Sequence, residues 1–471
     1  MANKWPKVTI ESIQARSKGA IAIGPFGSRL KSDNYVESGV PVIRGTNISS
    51  SPNFEGDFVF ITSEKADTLG SSNVYQNDLV FPHRGAIGEV GIVEANERYV
   101  LSSSLMKLTV DSEQMNPMYL YYFFKSRVGR HELLKNASTV GTPGIGQPLT
   151  SLKSIEFLKP PLGEQNQIVE ILKTLDNKIT LNRQINQTLE QMAQTLFKSW
   201  FVDFDPVMDN ALDAGNPIPD ELQHRAEARK AVRESEGFKP LPDEVRQLFP
   251  DAFEESELGW VPKGWEIKSS GDMIDVRDGT HASPKKSDHG FPLVTSKNLT
   301  SGRLDLSNAY LISSEDYEDV NKRSKVSSGD ILLTMIGTLG VPCLISVSEV
   351  NFAIKNVGLF RTSQTPLFKN YFFELLKSRE MQRYLDSRAA GTTQKYLSLK
   401  VLRNIPFLCP SDAVLSVFNQ YAQMYESKVQ QNTEQSEQLT KLRDTLLPKL
   451  ISGELCLDDV EAAVEKETVS A

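Results

Sequence analysis

The chain repeats itself at a shift of 250–252 residues, and that duplication limits what it can fold into. "GVPVIRGTNIS" (39–49) lines up with "GFPLVTSKNLT" (290–300), and "NDLVFPHRGAIGEVGIV" (77–93) with "GDILLTMIGTLGVPCLI" (329–345). The second match shares an aspartate and the glycine pairs Gly85/Gly337 and Gly88/Gly340. "YYFFKSR" (121–127) matches "FELLKSR" (373–379), and "GTPGIGQPLTSLKSIEFLKPP" (141–161) matches "GTTQKYLSLKVLRNIPFLCPS" (391–411). One short match means little; four in the same order mean a duplicated domain. The shift is too long for a solenoid repeat.

Within each copy, short apolar runs such as "DLVF", "VGIV", "DILLT" and "PCLIS" lie between Gly, Asn and Asp. These predict strands joined by turns, with a helix over "YLYYFFKSRVGRHELL" and its counterpart. The expectation is an α+β fold in each copy.

Each copy then runs into a long heptad helix. Ile168, Leu175, Asn182, Leu189 and Leu196 form one line, with Ile171, Lys178, Ile185 and Met192 beside it. The second helix carries Phe418, Tyr425, Asn432, Leu439 and Leu446, with Tyr421, Lys428, Gln435 and Leu442 beside them. An asparagine falls at the same turn of both stripes. Such a pattern predicts two helices packed antiparallel, with Asn182 meeting Asn432 to fix register at some cost in stability. Pro160-Pro161 and Pro410-Ser411 mark the helix starts, and Pro448 predicts an end or kink near Leu447.

The segments are therefore 1–160, the first copy of the domain; 161–200, a central helix; and 201–262, an acidic connector. Residues 263–410 form the second copy, 411–452 a distal helix and 453–471 an acidic tail. The net charge of −8 is uneven: 201–262 carries −9 and 411–471 carries −6, whereas 1–150 is +1 and 263–410 is +5. Whole-chain acidity thus does not exclude a DNA partner. Three scattered cysteines, no apolar leader and no run near 18 apolar residues predict a cytoplasmic protein without a membrane span.

"PPLGEQNQIVEILKTLDNKITLNRQINQTLEQMAQTLFKSWFVDFDPV" closely resembles the central spacer of type I restriction–modification specificity subunits, and "LTKLRDTLLPKLISGEL" (439–455) resembles the distal one. The stretch from "NPIPDEL" to "LPDEVRQLFPDAFEESELGWVPKGW" is similar to the connector of one branch of that family. "GPFGSRLKSD" (24–33) and "RDGTHASPK" (277–285) are similar to openings of its target recognition domains. The resemblance spans nearly the whole chain. It implies two tandem target recognition domains separated by an antiparallel coiled coil with pseudo-two-fold symmetry. It further implies a non-catalytic subunit that reads an asymmetric bipartite target in double-stranded DNA. Such a subunit carries two methyltransferase subunits and, in the full complex, restriction–translocase subunits. S-adenosylmethionine, ATP and magnesium are then expected on those partners, with no cofactor or metal on this chain.

Enzyme motifs fail on inspection. The only Pro-Pro has Lys159 before it and Leu162 after it, so it lacks the acceptors that hold a target amino group. "GTPGIGQP" imitates a phosphate loop, but Gln147 stands where the lysine should be. Pro250-Asp251 with Glu266-Ile267-Lys268 formally fits a magnesium nuclease site. The match falls in an acid-rich connector, however, and its repeat counterpart "WPKV" has no acid. His281 and His289 have no nearby cysteine to make a zinc site. A stand-alone bipartite DNA-binding regulator and a metal-dependent nuclease are the alternatives.

Base reading needs short polar side chains and Arg or Lys on loops that enter a groove. The first copy offers Ser28, Arg29, Lys31, Arg44, Thr46, Asn47, His83, Arg84 and Thr142. The second offers Thr280, His281, Lys285, Lys286, Ser296, Lys297, Asn298, Thr392, Gln394 and Lys395. Arg84 corresponds to Ile336, so the two copies are expected to read different half-sites.

Overall fold

The computed structural model describes residues 5–49, 52–138, 141–392, 394–455 and 457, without the Ser28 side chain. Most of the tail beyond 453 therefore lies outside the described residues. The chain divides into two compact units, Met1–Arg183 with Glu434–Ala471, and Gln184–Thr433. Each long helix contributes one half to each unit.

In the first unit a four-stranded sheet runs in the order Ile21–Ile23, Leu105–Leu108, Leu79–Pro82, Gly91–Ile92. Its two central strands are wholly buried, as four-residue apolar runs between turns require. A five-stranded sheet holds Val40–Ile43 parallel to Tyr99–Leu101, and a ribbon pairs Lys7–Thr9 with Glu156–Leu158. The second unit repeats this plan. Its four-stranded sheet runs Val276–Asp278, Val357–Phe360, Ile331–Thr334, Pro342–Leu344. Phe291–Val294 lies parallel to Ala353–Ile354, and Glu266–Ser269 pairs with Pro406–Cys409. Even the register is kept: Leu105 opposite Pro82 becomes Val357 opposite Thr334, a shift of 252 in both strands.

The residues shared by the copies have identifiable tasks. Asp78 accepts the Tyr75 N–H at 3.0 Å, and Asp330 accepts the Ser327 N–H at 2.8 Å, closing the turn before the central strand. Gly85 and Gly337 have φ of +82° and +83°, and Gly88 and Gly340 +88° and +73°, a region costly for any residue with a Cβ. The expected single helix over 119–134 is in fact two, Pro117–Lys125 and Arg127–Leu134. Ser126 leaves helical geometry and caps the second helix through the Gly129 N–H, and Ser378 does the same through the Met381 N–H. That cap explains the repeated Lys-Ser-Arg.

The central helix runs Leu162–Phe201 and the distal helix Asp412–Ser452. In the first unit Asp176 meets Arg443 at 2.8 Å and Asn182 meets Gln435 at 2.8 Å. Partner numbers fall as residue numbers rise, so the segments are antiparallel. In the second unit Asn186 meets Asn432 at 2.9 Å and Phe197 packs near Phe418, with the same sense.

One expected line needs correction. Ile171 on that line is buried, but Lys178 and Ile185 are only half-buried, whereas the residues four after Ile168, Leu175, Asn182, Leu189 and Leu196, namely Leu172, Ile179, Asn186, Ala193 and Trp200, are all buried. Met192, on the expected line, is 45% exposed. The spacing is thus the alternating four-three of a coiled-coil seam. Asn182 and Asn432 are both buried. Asn182 donates to Gln435 and Ser436, and Asn432 donates to Asn186, its repeat equivalent of Ser436. Nor does the distal helix end at Leu447. It continues through Pro448 to Ser452, because buried Leu447, Leu450 and Ile451 anchor its last turn in the first unit's core.

The connector is a packed part of the second unit. Helix Asp205–Ala214 and the hairpin Phe253–Pro262 pack on an aromatic cluster of Trp200, Phe201, Phe204, Phe249 and Trp265, and helix Gln223–Arg233 packs in turn on the first helix through Ala226 and Met208. Its arginines are committed internally: Arg229 grips Asp209 with two hydrogen bonds of 2.9 and 2.6 Å, and Arg233 meets Asp213 at 2.6 Å.

Candidate nucleic-acid interface

In the first unit the candidate loops converge on one turn, Ser102–Ser104, which joins the two sheets. Ser102 N–H donates to Ile43 O at 2.9 Å, seating the 44–47 loop. Gly24 N–H donates to Leu105 O at 2.8 Å, seating the 24–31 loop. His83 N–H donates to Ser104 O at 2.9 Å, while Ile145 N–H returns to His83 O and Gly85 N–H to Pro143 O, both at 2.9 Å. These bonds tie 83–85 to 141–145. Around this hub Arg29, Lys31, Thr46, Arg84 and Thr142 are exposed.

The second unit builds the same hub at Ile354–Asn356. Lys355 N–H donates to Val294 O at 2.9 Å, Gly279 N–H to Val357 O at 2.8 Å, and Leu397 N–H to Met335 O at 2.9 Å. The exposed groups are His281, Lys285, Lys286, Lys297, Thr392, Gln394 and Lys395, with Thr280 half-buried.

Several candidates turn inward. Asn47 is buried: its Oδ1 accepts the Arg44 N–H at 2.9 Å, and its Nδ2 donates to Glu55 O and Asp57 O. Asn298 repeats this with the Thr295 N–H and Asp305 O. Both asparagines shape their loop and have no free amide edge to offer a base. His83 is buried and donates from Nε2 to Ser103 O at 3.0 Å. Burial holds its imidazole below the usual histidine range, against the pull of the Ser103 carbonyl. Arg44 is half-buried with one guanidinium nitrogen on Asp57 O at 2.6 Å, and its Nε lacks a partner among the described residues. Ser296 Oγ is likewise buried and unpartnered. The Ser28 side chain lies outside the described residues.

Other groups at the hubs escape sequence reading. Asp278 is buried and lies 3.0 Å from His281 Nε2, its other oxygen taking the Arg323 guanidinium. Asn356 Oδ1 lies 2.8 Å from His281 Nδ1, and Lys355 Nζ reaches Ser283 Oγ at 2.5 Å. Arg323 and Lys355 therefore bring two further basic groups to this loop, Arg323 paired with Asp278 and Lys355 held on Ser283. Nothing local in the sequence marks them, because they arrive from a helix and a strand end outside the matched stretches.

Of the rejected motifs, Glu266 faces Lys268 at 3.0 Å on one exposed strand. Among the described residues there is no group of three or more His, Cys, Asp or Glu placed to hold a metal ion. No helix among them is long and apolar enough to cross a membrane.

Two related domains, each gathering polar and basic loops around one turn beside a pair of long helices, define a tandem-domain recognition protein. A family model described as the type I restriction modification DNA specificity domain matches residues 26–191 and 262–415. The specificity subunit of the type I restriction enzyme HindI from Haemophilus influenzae is 27% identical over 393 residues, covering 76% of this chain and 82% of that one. That of MjaIX from Methanocaldococcus jannaschii is 26% identical over 349 residues, covering 73% and 70%. The crystal structure of a type I restriction–modification S subunit from M. genitalium matches with a TM-score of 0.52 at 15% identity, over 96% of each chain. The chain belongs to the type I restriction modification DNA specificity family.

Proposed function

We propose that this chain is the DNA-reading specificity subunit of a type I restriction–modification complex, recognising an asymmetric bipartite duplex target. One observation carries the reading: the two hubs share three backbone anchors, Ser102 with Lys355, Gly24 with Gly279 and Ile145 with Leu397, while presenting different side chains. Arg84 stands where Ile336 does, and Gly144 where Tyr396 does: the first domain bridges Arg84 to Gly144 and the second bridges Ile336 to Tyr396. Common stems with unlike tips make two readers of one design and two half-sites of different sequence.

The exposed first-domain candidates, Arg29, Lys31, Thr46, Arg84 and Thr142, would meet one half-site. His281, Lys285, Lys286, Lys297, Thr392, Gln394 and Lys395 would meet the other. The chain would carry two methyltransferase subunits, and restriction–translocase subunits in the full complex. S-adenosylmethionine, ATP and magnesium would be held by those partners, leaving this chain without a catalytic step of its own.

Co-expression with methyltransferase subunits, followed by mapping of methylated adenines, tests this. The expected motif has two unlike halves around an unread gap, and exchanging residues 1–150 for those of a relative changes one half only. A swap that alters both halves, or methylation by the chain without partners, refutes the reading.

A further inference from the structure

Phe26 is an apolar ring among the polar and basic side chains of the first hub. It is 60% exposed, at the tip of the loop that carries Arg29 and Lys31. Single exposed apolar side chains are ordinary, but this one stands on a fixed stem. Gly24 and Pro25 are buried beneath it, and a Cβ on Gly24 would fall 1.8 Å from Ser102 O. Gly27 then turns away at φ +58°, and the Arg29 N–H closes back on Phe26 O at 3.3 Å. Arg29 is itself tied to Thr68 O at 3.2 Å. The loop is closed at its base and presents an aromatic ring at its tip, with cations on the same loop.

The second domain has a different group at this place. Gly24 and Gly279 make the same hydrogen bond, so Phe26 corresponds to His281. That ring is polar, and side chains lie within hydrogen-bonding distance of both its nitrogens, Asn356 and Asp278. It is placed to accept or donate at its loop and is not free to slide between bases.

We propose that Phe26 is an apolar wedge that enters the base stack of one half-site, and that the other half-site is read without one. The inference rests on the DNA-reading function proposed above. Apolar rings inserted at a base step unstack it and kink the duplex. Flexible pyrimidine–purine steps open most readily, so the wedge would add a sequence preference at a step that no side chain reads by hydrogen bonds.

The experiment uses the full-length chain, alone and with methyltransferase subunits, to enrich its target from a random-sequence duplex pool. Duplexes of the enriched sequence carrying 2-aminopurine at successive positions then report unstacking. The expected result is a several-fold rise in fluorescence at one step of one half-site. Phe26→Ala should abolish that rise, leaving the melting temperature and the salt dependence of binding unchanged, since no buried group or charge is removed. Equal fluorescence with wild type and Phe26→Ala at every position, or a Phe26-dependent rise in both half-sites, overturns the wedge and leaves DNA reading intact; a rise that Phe26→Ala leaves unchanged belongs to base flipping by the methyltransferase subunits. Failure of every preparation to enrich any sequence overturns both.

Discussion

Gly24→Ala tests whether the loop stems set recognition. An added methyl would lie 1.8 Å from the Ser102 carbonyl oxygen, where real Cβ atoms essentially never come within 3.0 Å. One backbone must therefore retreat by roughly 1.2 Å, and the 2.8 Å bond from Gly24 N–H to Leu105 O lies directly in the way. Stretched by that much it reaches roughly 4 Å and is no longer a hydrogen bond. Losing it in a buried setting costs about 1–3 kcal/mol of stability. The same retreat carries Arg29 and Lys31 away from their seat, and a displacement near 1 Å is enough to spoil a bidentate contact worth about 1–3 kcal/mol of discrimination.

The repeat supplies a graded comparison. At Gly279 the added Cβ would stand 2.5 Å from Ile354 O, so the required shift is only roughly 0.5 Å and the Gly279–Val357 bond survives. Gly24→Ala should weaken reading of one half-site by about 5- to 150-fold, the range those energies span. Gly279→Ala should cost the other half-site less. Methylated-motif mapping, with denaturant unfolding of the purified variants, measures both. If Gly24→Ala reads both halves normally with unchanged stability, the stems do not position the readers.

Replacing Lys285 and Lys286 together should flatten the log–log salt dependence of DNA binding by up to about 1.8, and an unchanged slope would remove them from phosphate contact. Because burial lowers the His83 pKa, the unfolded chain takes up the proton first on acidification. The stability this site contributes is present above the unfolded value near ~6.5 and is lost as pH falls from there through the folded value. His83→Met, borrowing the residue at Met335, should therefore lessen the fall in melting temperature between neutral and mildly acid pH; an identical fall would refute it. Lys107→Leu, borrowing the residue at Leu359, should cost about 3–5 kcal/mol, because it leaves the buried Asp78 carboxylate without its cation, now 3.1 Å away. A loss below about 1 kcal/mol in denaturant unfolding would show that Thr109 and the Tyr75 N–H satisfy Asp78 alone.

The duplication was legible because the shared residues serve the backbone. An aspartate that closes a turn, a glycine at positive φ and a serine that caps a helix tolerate few replacements, so Asp78/Asp330, Gly85/Gly337 and Ser126/Ser378 stand out at a constant shift. The helix pair was legible for a similar reason, since a sevenfold apolar line survives even with Asn182 in it. The neighbouring line was misplaced because i+3 and i+4 residues both flank a helical stripe. Choosing between them needs the facing helix, which buries Leu172, Ile179 and Asn186 and leaves Met192 out.

The reading loops were located but their side chains were not sorted. A short polar residue in a loop has two uses with the same chemistry: it can bind a base edge, or it can satisfy its own chain's N–H and C=O groups. Asn47 and Asn298 do the second, and their recurrence in both copies was itself the clue, because a residue kept in both halves cannot distinguish two different half-sites. Discriminating residues should instead be sought where the hubs match in backbone and disagree in side chain. By that criterion Arg84 against Ile336, Phe26 against His281, and Gly144 against Tyr396 carry more information about the target than any pair the repeat preserves. Lys355 and Asn356, set against the Ser102–Ser104 turn, extend the same rule to the hubs. There one domain presents only hydroxyls and the other a cation and an amide, so the difference in half-site preference begins at the centre of each reader.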